Sequence, residues 1–163
     1  MTVRTVPQGA HHLSDDPAVE LRALLGSCVA ICLHDPAAGI GGMTHSVWTE
    51  MGRLGAALPL HEYERLNNAL IKSGAGRGRM RASVVGGARL LTAGRPVGSE
   101  LGRTVLDILF QEGVPVDEIS LGGSRARRVR FRPATGELTV KAVDDAVEDA
   151  TTGPPVVRGV QLF

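Results

Sequence analysis

The sequence has no apolar run that approaches the roughly 18 residues a membrane-spanning helix requires. Its first ten residues, MTVRTVPQGA, also lack the apolar stretch of a secretory signal. These absences argue against a membrane protein and against a secreted one. We therefore expect a cytoplasmic protein with no membrane insertion.

Cysteine is equally scarce, because only Cys28 and Cys32 are present, four positions apart in an apolar segment. Two such residues do not make the disulfide framework of a small secreted domain, and in the cytoplasm thiols stay reduced. At least one thiol is therefore expected to be available for chemistry.

Excess charge and aromatic residues are lacking too. The net charge is +1, from 18 basic and 17 acidic side chains, so no global attraction to nucleic acid or anionic membrane is expected. One tryptophan, one tyrosine and three phenylalanines leave little to stack on bases. We expect no nucleic-acid partner.

Glycine and proline, by contrast, are plentiful at 21 and 9 of 163 residues. Such a composition indicates short strands joined by tight turns rather than a helical bundle. The length fits one domain, which we place at 1–143, and we expect a flexible C-terminal tail over 144–163.

Local patterns predict several elements. The segment PQGAHHLSDDP is interpreted as a polar loop, and Ser99 as the N-cap of a helix that ends near Gly113. Hairpins are predicted over 27–48 and 129–141, and a strand over 79–85. A further helix is predicted over 60–73.

The first hairpin brings a possible nucleophile and base together. If His34 pairs with Gly39 around a loop over 35–38, Cys28 lies directly opposite His45, and directly opposed residues share a face of the sheet. An imidazole beside a thiol favours the thiolate, which attacks a carbonyl, and the imidazolium then protonates the leaving amine. Backbone N–H groups at Gly26 and Ser27 are candidates for stabilising the oxyanion.

Two other interpretations of these residues remain open. A cysteine in an apolar strand is more often an inert core thiol, and a single histidine is more often structural. A zinc site is disfavoured, because Cys28 and Cys32 lie about 13 Å apart along a strand and cannot share an ion. Its ligands would have been Cys28, Cys32, His34 and His45.

The segment LGSCVAICLHDPAAGIGGMTHSVW resembles the bacterial CheD family, the chemoreceptor glutamine deamidases. In that family a Gly-Ser-Cys stretch opens a strand and a Gly-Gly-Met-x-His stretch follows at this separation. SVVGGARLL and LGGSRARRVRFRPATGELTVK are similar to two further family segments. The resemblance covers most of 19–141.

The resemblance implies a cysteine hydrolase with Cys28 and His45 as its catalytic pair. It acts on glutamine side chains of chemoreceptor cytoplasmic helices, giving glutamate and ammonia without a cofactor. A CheC-type phosphatase is implied as a second partner. The implied fold is α+β, a layered α/β/β sandwich of short, mostly antiparallel strands with two to three helices packed outside.

One family position differs, because Arg22 replaces the usual threonine six residues before the cysteine. A guanidinium cannot accept a hydrogen bond from an imidazole N–H as a hydroxyl can. If Arg22 points inward, it depresses the pKa of His45 and favours the thiolate by direct pairing; if it points to solvent, neither effect appears. We predict that Arg22→Thr raises activity by restoring orientation of the base.

An arginine cluster near the C-terminal end is ambiguous. Alternating arginines usually form a solvated face, but they also suit docking to an acidic receptor. The candidate partner-binding residues are Arg125, Arg127 and Arg128. The departures at Arg22 and at Glu100–Leu101, where the family has an Arg-Asn pair, leave an alternative function, a non-catalytic receptor- or CheC-binding module.

Overall fold

The computed structural model describes residues 1–47, 57–89 and 97–143. Nine strands and two helices lie within these ranges. In chain order they are β1 (Thr2–Thr5), β2 (His11–Ser14), β3 (Val19–Leu25), β4 (Val29–Asp35), β5 (Ile40–Ser46), α1 (Ala57–Lys72), β6 (Arg81–Gly86), α2 (Val97–Gln111), β7 (Val116–Leu121), β8 (Ala126–Arg132) and β9 (Glu137–Val143). Neither helix is long and apolar enough to cross a membrane.

The strands form two stacked sheets. The four-stranded sheet has the order β1-β3-β8-β9, and the five-stranded sheet has the order β2-β5-β4-β6-β7. Pairs β1–β3 and β6–β7 are parallel, and the other described pairs are antiparallel. Both helices pack on the five-stranded sheet, opposite the second sheet. The implied α/β/β sandwich is confirmed, with two helices among the described residues.

Strand β4 is central, and its two faces differ. Large side chains face the helices, where they join α1 and α2 in one core: Val29, Ile31 and Leu33. Small side chains face the other sheet and form a second core with β3 and β8: Ala30 and Cys32 on the strand, and Cys28 just before it. This alternation is the period of two expected of a strand.

Most predicted elements are confirmed. The predicted helix over 60–73 corresponds to α1, which ends at Lys72 shortly before Gly74, and Gly113 follows α2; both glycines have positive φ. Strand 79–85 corresponds to β6, and the hairpin over 129–141 to β8 and β9. The N-cap at Ser99 is wrong, because α2 begins two residues earlier at Val97.

Strands β2 and β7 are among those that the sequence patterns did not predict. The supposed polar loop contains β2, and no strand was predicted over 116–121. Both are edge strands of the five-stranded sheet, and their residues are half-buried or exposed. Main-chain pairing rather than an apolar face holds them, so alternation gave little signal.

The predicted hairpin over 27–48 contains β4 and β5, although Trp48 lies outside the described residues. Its predicted register is wrong by two positions. Asp35 pairs with Ile40, and His45 lies opposite Ala30 rather than Cys28. The loop has the expected four residues, but they are 36–39 instead of 35–38.

The Asp35 carboxylate explains this register. Its Oδ1 accepts the N–H groups of Ala37 and Ala38 at 2.9 and 3.2 Å, so Asp35 begins the turn. The Asp35 carbonyl accepts the N–H of Gly39, whose positive φ closes the loop. The Gly76 N–H, at 2.7 Å from Oδ2, ties the same side chain to the end of α1.

We predict that Asp35→Asn lowers the free energy of unfolding at neutral pH by about 2 kcal/mol, because it leaves buried donors poorly paired. Burial opposes ionisation of Asp35, but hydrogen bonds from Arg79, Gly76, Ala38 and Ala37 outweigh it and hold its pKa at about 2. A depressed pKa gives stability that is present above about pH 4 and lost as the pH falls towards 2.

Urea unfolding of both proteins at several pH values measures this effect. The difference between wild type and Asp35→Asn should shrink as the pH falls from 4 to 2. Asp117→Asn is the matched control, since Asp117 pairs with Arg81 at the surface and its loss should change stability little. Equal losses from the two variants contradict the role given to Asp35.

Candidate active site

Cys28 lies in the turn between β3 and β4, where contacts to its main chain fix its position. The Cys28 carbonyl accepts the N–H of Gly87 at 2.8 Å, and the Gly26 carbonyl accepts the N–H of Ala88 at 2.9 Å. Gly86 has a φ of +120°, and a Cβ there would lie 2.2 Å from the Cys28 carbonyl oxygen. The double glycine after β6 therefore lets two main chains approach closely.

His45 is buried on β5 and has a defined tautomer. Its Nδ1 lies 2.8 Å from the carbonyl oxygen of Val6, which only accepts hydrogen bonds, so Nδ1 carries the proton in the neutral ring. Nε2 then bears a lone pair, and this buried atom has no hydrogen-bond partner in the described part of the chain. The imidazole is thus oriented as a base.

Cys28 and His45 are diagonal neighbours. His45 pairs with Ala30, and Cys28 precedes Ala30 by two positions on the same face of β4. Diagonal pairs on one face are separated by about 7 Å, which a long or aromatic side chain spans. The structure thus brings both residues to the inter-sheet face, as expected, although along a diagonal.

Burial sets the charge of this pair. Desolvation, followed by the negative charge of Glu62, raises the pKa of the Cys28 thiol to about 12. Burial also lowers the pKa of His45, against the opposing hydrogen bond to Val6. The resting pair is therefore neutral thiol and neutral imidazole, and not the thiolate that the sequence led us to expect.

Cys32 has no comparable surroundings. It is 2% exposed, lies between Met43 and Ser83 on neighbouring strands, and has a pKa raised by burial. The described residues contain no group of three or more histidine, cysteine or acidic side chains able to hold a metal ion. Zinc was not expected, and Cys32 fits the inert core thiol.

Arg22 lies on β3 with its side chain on the outer face of the four-stranded sheet. Leu21 and Ala23 on either side of it belong to the core between the sheets, whereas Arg22 is 41% exposed and pairs with Glu20. This is the solvent-facing alternative, so no direct effect on His45 is expected. The main-chain carbonyl of Arg22 does contribute, because it accepts the Val6 N–H at 2.9 Å.

The three candidate docking arginines differ in their exposure and contacts. Arg127 is half-buried and donates to Ser120 Oγ and to the carbonyls of Gly86 and Gly122, at 2.8 to 3.1 Å. It therefore braces the double glycine behind Cys28 instead of facing a partner. Arg125 and Arg128 are exposed.

Two polar residues near Cys28 were missed. Glu62 on α1 is 7% exposed, and Ser46 at the end of β5 is fully buried. Burial raises the pKa of Glu62 to about 7, while the Ser46 hydroxyl and the charge of Arg65 oppose this. A signal was available, because Glu62 lies one helical turn before Leu66, on the apolar face of the predicted helix.

Comparison with known proteins identifies the family of this chain. Residues 61–142 match a family model described as CheD chemotactic sensory transduction. The chain is 40% identical over 160 residues to the probable chemoreceptor glutamine deamidase CheD of Caulobacter vibrioides (strain NA1000 / CB15N), covering 93% of this chain and 86% of that protein. The chain belongs to the CheD family.

Further similar proteins carry the same description. Probable chemoreceptor glutamine deamidases CheD of Jannaschia sp. (strain CCS1) and Agrobacterium fabrum are 37% and 34% identical, covering 99% and 96% of this chain and 94% and 93% of those proteins. The resemblance in the sequence is confirmed.

Solved structures are more distant. Bacillus licheniformis hypothetical protein YfiH has a TM-score of 0.49 and 18% identity, covering 68% of this chain and 49% of that one. YlmD from Geobacillus stearothermophilus has a TM-score of 0.49 and 15% identity, covering 70% and 50%. These likenesses carry no argument about function.

We predict that Gly86→Ala costs this CheD-family protein at least about 3 kcal/mol of folding stability, because the new methyl group would meet the Cys28 carbonyl. Gly113→Ala is the control, since Gly113 also has positive φ but no atom within 4 Å of its Cβ position. It should cost about 1 kcal/mol. Thermal unfolding measures both, and equal costs contradict the clash.

We now expect Arg22→Thr to leave deamidase activity within about twofold of wild type, because the side chain at this position faces away from His45. This replaces the gain predicted from the sequence. Initial rates on a receptor fragment, measured from about pH 6 to 9, test it. A displaced pH optimum would show that residue 22 acts on His45 after all.

Proposed function

We propose that this chain hydrolyses the side-chain amide of selected chemoreceptor glutamines in chemotaxis adaptation, with Cys28 as nucleophile and His45 as base. The relatives' name, chemoreceptor glutamine deamidase, supports the reaction. The observation that carries the residue assignment is the orientation of His45, whose protonated Nδ1 is held by Val6 while Nε2 has no partner.

The neutral pair defines the first step. His45 Nε2 takes the thiol proton as the Cys28 sulfur attacks the amide carbon, so thiolate and imidazolium arise together and only with substrate present. The imidazolium then gives this proton to the leaving nitrogen, which departs as ammonia. Water, deprotonated by His45, hydrolyses the thioester to glutamate and restores the thiol.

The turn before Cys28 is proposed to stabilise the oxyanion. Gly26 directs its carbonyl at Ala88, and in a planar trans peptide the following N–H, that of Ser27, points the opposite way. Ser27 is exposed, so its N–H lies where the chain meets solvent. A backbone donor of this kind is typically worth about 3 to 4 kcal/mol in the transition state.

Chemoreceptor helices are the proposed protein substrate, and a CheC-type phosphatase the proposed second partner. Among the candidate arginines, exposed Arg125 and Arg128 fit docking to an acidic surface, whereas the contacts of Arg127 favour a structural role. No cofactor is needed for the steps proposed.

A non-catalytic binding module is the second candidate. The raised pKa of Cys28 favours it, because a thiol that titrates near 12 is a poor nucleophile unless a base assists. In that case receptor or CheC binding persists in Cys28→Ser while the parent protein itself deamidates nothing.

We predict that Cys28→Ala lowers the deamidation rate at least about a thousandfold, because the thioester no longer forms. Cys32→Ala, which alters a similarly buried thiol, should stay within about threefold of wild type. The assay incubates receptor cytoplasmic fragments with each protein and follows the mass gain of about one dalton from glutamine to glutamate. Equal losses in both variants contradict the assignment of Cys28.

A further inference from the structure

Three buried side-chain atoms have no hydrogen-bond partner in the described residues: His45 Nε2, Ser46 Oγ and Glu62 Oε1. Buried polar atoms are normally paired, so such a group calls for an explanation. His45 and Ser46 are consecutive on β5, and Glu62 approaches Ser46 from α1 closely enough to affect its titration. At the end of the five-stranded sheet where Cys28 lies, Ser46 and Glu62 thus lie on the helix side and His45 on the side between the sheets.

Glu62 has no ion-pair partner among the described residues, although it is nearly fully buried. Its second oxygen, Oε2, lies 4.0 Å from a Cβ position built on Gly9, the segment leading to β2. Ser46 on β5 and Arg65 on its own helix act on its titration, and its charge acts in turn on Cys28. A neutral residue here would avoid the cost of burying a carboxyl.

The unpaired oxygen of Glu62 matches a primary amide better than its hydrolysis product. An amide presents two N–H donors, which a carboxylate oxygen accepts, and one carbonyl. A glutamate product presents only acceptors and a negative charge, so it opposes an ionised Glu62 in a poorly solvated site.

We propose that Glu62 makes the site around Cys28 selective for a neutral primary amide over a carboxylate, so that glutamine is admitted and glutamate expelled. The proposal rests on the assignment of Cys28 as nucleophile. Its charge dependence follows from the titration of Glu62 near pH 7, since discrimination requires the ionised carboxyl. Discrimination should therefore grow as the pH rises through 7.

Two alkylating reagents test this without deamidase activity. Iodoacetamide carries a primary amide and iodoacetate a carboxylate, and with either one the Cys28 thiolate displaces iodide to form a thioether. The ratio of their rates at one pH cancels the fraction of thiolate. Peptide mass spectrometry resolves Cys28 from Cys32, and the ratio on the urea-unfolded chain corrects for intrinsic reactivity.

The corrected preference of wild type for iodoacetamide should grow at least about fivefold between about pH 5.5 and 8.5. In Glu62→Gln the same preference should grow less than about twofold over this pH range. The remaining change is expected from titration of His45, which this variant keeps. Glu64→Gln is the matched control, because Glu64 lies on the same helix but is exposed. It should behave as wild type.

A flat preference in wild type overturns the proposal, even if Glu62→Gln fails to fold. So does an unchanged preference in folded Glu62→Gln, or a Cys28 that reacts with neither reagent at the highest pH. These outcomes can be told apart from failure of the proposed function. If the wild type deamidates receptor fragments but its reagent preference does not change with pH, only the role of Glu62 is wrong. If the preference changes as expected but the wild type does not deamidate, the enzymatic assignment is wrong instead.

Discussion

The register of β4 against β5 is the constraint on which the site depends. A slip of one residue would turn His45 towards the helices and away from Cys28, because strand side chains alternate between faces. A slip of two would keep the face but move the imidazole along the strand. The Asp35 carboxylate fixes this register by binding the turn on one side and the end of α1 on the other. A buried charge at one end of the hairpin thus positions His45, the proposed base, at the other end.

Orientation of that base comes from the main chain. Val6 directs its carbonyl at His45 Nδ1, and its own N–H is held by the carbonyl of Arg22. Carbonyl groups are the same for every residue type, so the side chain at position 22 can change while the imidazole keeps its tautomer. The family's usual threonine at this position is therefore not required for orienting His45 in this chain, and its replacement is no argument by itself against catalysis.

The sequence predicted what depends on local chemistry and missed what depends on distant contacts. Loop length and strand alternation correctly placed Cys28 and His45 on one face. The register, however, depends on which residue begins the turn, and the sequence did not show that Asp35 is the last paired residue of β4 rather than the first residue of the loop. No local pattern links Val6 to His45, which are 39 positions apart. The sequence does show Glu62 as a charged residue on the apolar face of a predicted helix. Its proximity to Cys28, however, results from the packing of α1 on β5, which no local pattern predicts.

Glu62 also influences the protonation of the buried Cys28 thiol. Burial is the larger cause of the raised pKa of Cys28, and the negative charge of Glu62 adds to it, so the ionisation proposed to reject a carboxylate also helps to keep the thiol protonated. Raising the pH through 7 therefore adds charge to Glu62 and opposes formation of a free thiolate. Attack on an amide avoids this opposition only if the proton moves to His45 Nε2 as the sulfur–carbon bond forms, because no isolated thiolate then faces the carboxylate. The proposed amide selectivity and part of the resting inertness of the thiol thus have the same carboxyl group as their source.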